Sequence, residues 1–522
     1  MGKYLLKRVL FSLFSIVAVV AIVMVLIYSV MNRDLVFAKD TVFQRQASNG
    51  RITYQYQKWE EYGYIDYVPY TEWLIELAES GEIDEETRAA AASFGRTPDN
   101  DSDTVKELAA RFVETYEAKG YTVVRKDAVM NGRKLANGGA QIFFAWGNQP
   151  LLDRLVGYFS RLIDVDSIHY AQGDVGERGI TFTAFDPVYG GEKFSPAIIG
   201  NGTKHKYLLY FDSQFPFLHQ NIATINLGQS YTVNKGTDVF LSMTRSQGSY
   251  VLSETTFPSG LVEQSADDLH TAIYNQGSRE STDFLAARYA DDYTSVDTAR
   301  RSPSKIGFSF IIGIISTICS YLLGVPLGIM MARKKDKLMD KLGTAYIIFI
   351  IAVPSLAYIF MFRAIGGELG LPMNFDMESD NNLMYVLPII SLALPSVANL
   401  MKWLRRYMID QMNSDYVKFA RSGGLTEGEI FTKHILKNAA IPIFHGIPGS
   451  ILFAMTGAII TERIYSVPGA GGLLTEAINK YDNGVIVGVT LFYAVLSVVA
   501  IILGDVVMAT VDPRISFSTK DR

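Results

Sequence analysis

Six stretches of the chain carry no Asp, Glu, Lys or Arg and are apolar almost throughout: 9–32, 306–332, 342–362, 381–401, 438–461 and 483–504. The shortest two hold 21 residues each. At about 1.5 Å per helical residue that is roughly 32 Å, enough for a hydrocarbon core of about 30 Å. The pattern predicts six transmembrane helices. Two further charge-free runs, 135–152 and 213–234, are broken by Asn, Gln, Gly, Ser, Thr and Pro and predict no span. The first run follows Lys3, Lys7 and Arg8, the basic start of a signal peptide. Its 24 apolar residues exceed the 7–15 of a signal core, and Val36-Phe37-Ala38 is a weak cleavage site, so it reads as an uncleaved anchor. Leu6 stands where an N-myristoylation motif wants Ser or Thr.

Basic residues orient these spans. Lys3, Lys7 and Arg8 place the N-terminus inside, and six crossings return the C-terminus inside. Arg333, Lys334, Lys335 and Lys337 after the second span, and Lys402, Arg405, Arg406, Lys418, Arg421, Lys433 and Lys437 after the fourth, fall inside. The acidic loop with Glu368, Asp376, Glu378 and Asp380 falls outside. Three regions result: 1–31, an inside N-terminus and first helix; 32–303, an extracellular domain; and 304–522, a membrane core with an inside loop at 402–440.

Composition agrees with a chain of two characters. It is 49% hydrophobic and 19% charged, with a net charge of −5 and a mean hydropathy of +0.15. Residues 32–303 hold 26 basic and 37 acidic side chains, net −11, and the remainder is net +6. The lone Cys319 excludes an intramolecular disulfide, and the absence of a basic excess points away from nucleic acid. Asp103, Val105, Leu108, Ala109, Phe112 and Tyr116 predict an amphipathic helix with Asp103 as N-cap. Pro150 with Leu151, Leu152, Leu155, Val156, Phe159 and Leu162 predicts another. Tyr121–Val124, Gly179–Ala184 and Lys206–Phe211 read as strands, so the outer region is expected to be α+β. Its tyrosine-dense start, with Tyr54, Tyr56, Tyr62, Tyr64, Tyr67 and Tyr70, reads as half-buried packing or a contact surface.

Catalytic chemistry is not visible. None of the six histidines shows metal-ligand spacing, no G-x-S-x-G elbow or P-loop occurs, and His205 sits between Lys204 and Lys206. The inside loop is more specific. A helix is expected up to Ser422, stopped by Gly423-Gly424. Thr426 and Glu429 form a capping box that starts a second helix, which should run through Phe431, Ile435 and Leu436 and end before Pro442. The product is a tight turn with Leu425 at its corner, suited to docking or serving only as a connection.

These residues resemble a known loop. Ala420-x-x-x-Gly424 followed by Asn438-Ala439-x-x-Pro442 is similar to the EAA loop of bacterial ABC importer permeases, with Lys418 and Phe419 replacing its first Glu and Ala. Glu462, Tyr465, Pro468, Gly469, Gly471, Leu473, Leu474, Asp482, Asp505 and Asp512-Pro513-Arg514 resemble the C-terminal signature of B-type oligopeptide/dipeptide permeases, and Tyr4-Leu5-Leu6-Lys7-Arg8 resembles their start. Asn226-Leu227-Gly228-Gln229-Ser230-Tyr231 resembles the family's Gly-Asp-Leu-Gly-x-Ser stretch, with Ile225 and Asn226 in place of its Gly and Asp. The outer region is longer than in most members; Gly202-Thr203-Lys204-His205-Lys206-Tyr207 matches long-loop ones.

The resemblance implies an all-α polytopic type I ABC importer permease with six transmembrane helices, a large α+β extracellular domain between helices 1 and 2, and oligopeptide cargo. It implies a second permease subunit, two ABC ATPases that bind the ATP and Mg, and a lipid-anchored extracellular peptide-binding protein, for which the acidic outer domain is a candidate dock. This chain would be a transport subunit, not an enzyme, holding no cofactor or metal, in the cell membrane of a Gram-positive bacterium. Ala420, Gly424, Leu425, Thr426 and Glu429 take the ATPase-coupling role, and Pro354, Pro388, Pro395 and Pro448 are candidate hinge or pore residues. Asp505 and His445, near inner span ends, are open between pairing and proton relay. The alternatives are a proton-coupled carrier working without ATPases and a membrane-anchored ligand receptor.

Overall fold

The computed structural model describes residues 2–511 apart from 39, 47, 95–100, 127–128, 131–132, 135–141, 173–174, 213–216, 257–259, 261, 265–268, 275–292, 294–295 and 297–298. Asp512-Pro513-Arg514 lies outside the described residues.

The chain opens with helix α1 (Gly2–Val25), and short α2 (Thr41–Arg45) and α3 (Ser48–Glu61) follow. A three-stranded antiparallel sheet comes next, built from β1 (Ile65–Pro69), β2 (Thr122–Lys126) and β3 (Ile142–Asn148) with β3 central. Strand alternation sends Phe143 and Ala145 to one face and Ile142 and Phe144 to the other. The first face is covered by α4 (Tyr70–Glu79), α5 (Glu85–Ala92) and α6 (Asp103–Ala118). The second is covered by Trp59, Tyr62 and Tyr64, with Val36 and Phe37 just beyond α1. The tyrosines of 52–70 are therefore mostly packing. All five apolar positions predicted for α6 are buried, but its N-cap is Ser102, whose hydroxyl accepts from the Val105 amide; Asp103 is the first helical residue.

Helix α7 (Leu151–Ser160) has two apolar sides. Leu151, Leu155 and Phe159 pack against α1, whereas Leu152 and Val156 are exposed. Beyond it lie β4 (Ile163–Val165), β5 (Gly179–Thr183), β6 (Ala197–Asn201), β7 (Tyr207–Phe211), β8 (Leu218–Gln220) and β9 (Ala223–Ile225). Strands β5 to β8 form one antiparallel sheet in sequence order, and β4 pairs with β9. The short helix α8 (Val239–Thr244) precedes β10 (Ser246–Tyr250), which pairs with β11 (Arg300–Ser304) at the start of α9 (Lys305–Arg333).

The helical core continues with α10 (Leu338–Ala352), α11 (Ser355–Glu368), α12 (Val386–Met412), α13 (Asp415–Ser422), α14 (Glu427–Glu429), α15 (Lys437–His445), α16 (Ile447–Tyr465), α17 (Ala470–Asn479) and α18 (Asn483–Val511). Helices α9 and α12 pack along their length because Gly324 and Gly328, four residues apart, let Leu400 and Leu404 close on the α9 backbone. By length and composition, four described helices can cross a membrane: α1 with its extension to Val30, α9, α12 with its lead-in from Asn382, and α18. The bent pair of α10 and α11 makes a fifth if the two helices form one broken span.

Two predicted spans are thus not single helices. The run 342–362 breaks at Val353-Pro354 with a 110° bend, since proline withholds an N–H and disfavours helix in the residue before it. The run 438–461 is divided between α15 and α16 at Gly446. The helix expected to end before Pro442 instead crosses it and ends at His445. Burial of Ala439 and Ile443 on the core side outweighs the proline's local cost of about 3 kcal/mol.

Candidate functional site: an exposed turn on a buried seat

Helix α13 ends at Ser422. Gly423 stays at negative φ and its amide donates to the Phe419 carbonyl at 2.9 Å. Gly424 adopts φ +84°, the left-handed conformation that only glycine reaches cheaply. Thr426 then caps the next helix: its hydroxyl accepts from the Glu429 amide, and the Glu429 carboxylate accepts from the Thr426 amide at 3.2 Å and hydroxyl at 2.8 Å. Arg421 and Glu427 bridge the turn at 2.6 Å, which holds the Glu427 carboxyl below its ordinary range; the Thr426 hydrogen bonds do the same for Glu429.

Residues 421–428 are all exposed, Leu425 at the corner included, and Phe419 beside them is 80% exposed. Immediately on either side the chain dives inward: Val417 and Ile430 are fully buried, and Ala420 is half-buried on the same cluster. That cluster includes Ala332 at the end of α9, Leu404 and Met408 of α12, and Ala439 and Ile443 of α15. The turn is a knob whose seat is shared by the long helices α9 and α12 and the short helix α15. A second fastening lies nearby. Arg405 of α12 grips the buried Asp340 of α10 with Nε and Nη2 at 2.5 and 2.7 Å.

The proline candidates separate. Pro354 sits at the 110° bend. Pro448 occupies the first turn of α16, where its missing N–H costs nothing. Pro388 is buried near the start of α12, and Pro395 lies inside it, where Ser320 and Tyr346 donate to the carbonyls of Ala393 and Leu394. Asp505 is paired with Arg8 at 3.3 Å, joining α18 to α1. His445 packs against Gly504, and its buried Nδ1 has no hydrogen-bond partner among the described residues. His205 contacts Asp166 at 3.1 Å. Among the described residues no group of three or more His, Cys, Asp or Glu could hold a metal.

Several signature residues act as fasteners whose partners spacing alone did not reveal. Asp482, between α17 and α18, is fully buried. Its Oδ2 accepts from the Ser230 hydroxyl at 2.7 Å and the amides of Tyr231, Thr232 and Val233 at 2.9–3.0 Å. The 226–231 stretch is thereby bolted to the last helix. Gly484 and Gly488 allow this approach, because a Cβ there would lie 2.0 Å from the Gln229 carbonyl oxygen and 2.7 Å from that of Leu227. Glu462 accepts from Ser309 at 2.6 Å and from the Gly472 amide at 3.0 Å, in a space that only glycines at 469 and 471 leave open.

These features define a helical membrane protein with an exposed turn, between α13 and α14, seated on the shared core of α9, α12 and α15. The family described as the binding-protein-dependent transport system inner membrane component matches residues 324–517. The oligopeptide transport system permease protein AmiC of Streptococcus pneumoniae is 34% identical over 526 residues, covering 100% of this chain and 99% of the relative. The dipeptide transport system permease protein DppB of Lactococcus lactis is 30% identical over 43% of this chain and 73% of its own length. A solved amino acid ABC transporter aligns with 40% of the chain at 15% identity and a TM-score of 0.32. The chain belongs to the oligopeptide/dipeptide permease family of ABC importers. It is a multi-pass membrane transport component.

Proposed function

We propose that this chain forms half of the translocation path of an ATP-driven importer of oligopeptides. Its partners would be a second, homologous permease, two ABC ATPases and a lipid-anchored extracellular peptide-binding protein. In this reading six crossings place both termini in the cytoplasm of a Gram-positive cell, with α10–α11 and α15–α16 as broken spans and 32–303 outside. The full-length match to an oligopeptide permease supports the cargo.

The exposed turn at 421–428 on its buried seat carries the coupling reading. An ATPase gripping Leu425 and its neighbours would move α9, α12 and α15 together, because Val417 and Ile430 lock the knob into their shared core. A rigid element with different contacts in two states is what transmits such a change. Ala420, Gly424 and Leu425 would make the contact, with Thr426 and Glu429 keeping its shape. Pro354 would be a hinge.

Gly424→Glu tests this. Open space surrounds Gly424, so the substitution strains only the local φ, by about 1–2 kcal/mol, and leaves the core intact. Peptide uptake should disappear while the protein reaches the membrane at wild-type level and no longer co-purifies with its ATPases. Normal uptake would remove the turn from the mechanism. Purification of the wild-type chain with neither ATPase nor second permease would favour the carrier or receptor instead.

A further inference from the structure

A cavity of about 440 Å³ lies beside the bolted 226–231 stretch, between the outer end of α1, the end of α3 and one face of α7. The α7 face is basic, since Arg154, Tyr158 and Arg161, spaced by four and three residues, all line the cavity. The end of α3 contributes Glu60 and Glu61 to the lining. Tyr28 and Tyr231 supply aromatic sides.

The guanidinium of Arg154 is only partly satisfied. It lies 4.5 Å from the centre of the Tyr28 ring and one Nη donates to the Tyr64 carbonyl, while its buried Nε has no hydrogen-bond partner among the described residues. Neither Arg154 nor Arg161 has a carboxylate partner among the described residues, although Glu61 has Lys58. A buried, unmatched donor of a charged group is costly and is normally matched by an acceptor. The volume falls in the range of about 300–1,000 Å³ typical of small-molecule sites.

We propose that this cavity binds a short peptide with free ends, its C-terminal carboxylate on Arg154 and Arg161 and its ammonium toward Glu60. A planar carboxylate fits the guanidinium fork, and the acidic end of α3 opposes a phosphate while favouring an ammonium. This rests on the reading of 32–303 as the outside region of a peptide importer. The site would hold peptide at the edge of this subunit, apart from the coupling turn.

The test uses the purified full-length chain in phosphatidylcholine nanodiscs, titrated calorimetrically with trialanine and with its C-terminal amide. The free acid should bind at least tenfold more tightly than the amide. R161Q changes an exposed side chain at the cavity rim, so the fold should survive. It should weaken trialanine about tenfold and leave the amide unchanged; R154Q should do the same. Equal binding of acid and amide, no binding of either, or equal weakening of both by R161Q would overturn the site. Loss of trialanine binding when phosphatidylglycerol is added to the discs would assign the cavity to a lipid headgroup and also overturn it. Peptide uptake by cells is followed in parallel. Uptake with a failed titration removes this site and leaves the importer standing, whereas absence of both removes the two readings together.

Discussion

Asp482 holds the two halves of the sequence together with one carboxylate. Its Oδ2 receives four donors from residues 230–233, and Oδ1 also accepts from the Val485 amide at the start of α18. In Asp482→Asn an NH₂ group must face N–H or O–H donors in a site closed to water. Losing one or two charge-assisted hydrogen bonds costs roughly 2–4 kcal/mol. The 230–236 loop should then become a protease-sensitive point in membrane vesicles, while wild type is protected there. Equal protection in both would mean that packing alone holds the loop. Asp482 and the 226–231 stretch were both visible as motifs, and Gly424 was visible as a turn because its chemistry is local. The meeting of residues 230 and 482 was not, since a contact across some 250 positions leaves no local periodicity.

At the scale of elements, the sequence was most legible where local chemistry decides the outcome. The capping box at Thr426 and Glu429, the end of α13 at Ser422 and the buried stripe of α6 follow from neighbouring residues. It was least legible where tertiary burial overrides a local breaker, as at Pro442, or where a breaker prevails inside an apolar run, as at Pro354. Charge-free length reports hydropathy and not straightness, so the run 342–362 did not itself show its bend; only Pro354, a hinge candidate, pointed to it. The Asp340–Arg405 pair fixes the start of that bent pair on α12, just before the charge-free run begins. Asp340→Asn should lower the melting temperature by the equivalent of about 1.5–3 kcal/mol, the worth of hydrogen bonds to a charged group. An unchanged melting temperature would show that the pair adds nothing to the fold.

For the whole molecule, the decisive feature is that 32–303 is not a separable appendage. Asn483 of α18 hydrogen-bonds the Tyr64 hydroxyl, and α7 shares a core with α1, α17 and α18. Arg301 and the Ser249 amide also reach the 376–380 loop, through Asp380 and Glu378. Removing residues 50–200 would therefore do more than strip a proposed docking surface for a binding protein. It would uncover the apolar faces of Met24, Ile27 and Leu473 and leave Asn483 without its partner. The expected outcome is low protein in the membrane fraction by immunoblot, with uptake lost only in proportion. Wild-type accumulation of the deleted chain would instead establish residues 50–200 as an independent module, and uptake would then report on the proposed docking alone. Until that is measured, the dock is better examined by charge reversal on exposed acidic residues such as Glu86 and Glu114, which leaves the shared core in place. Reduced uptake with unchanged membrane levels would support a docking role for that face, and unchanged uptake would remove it.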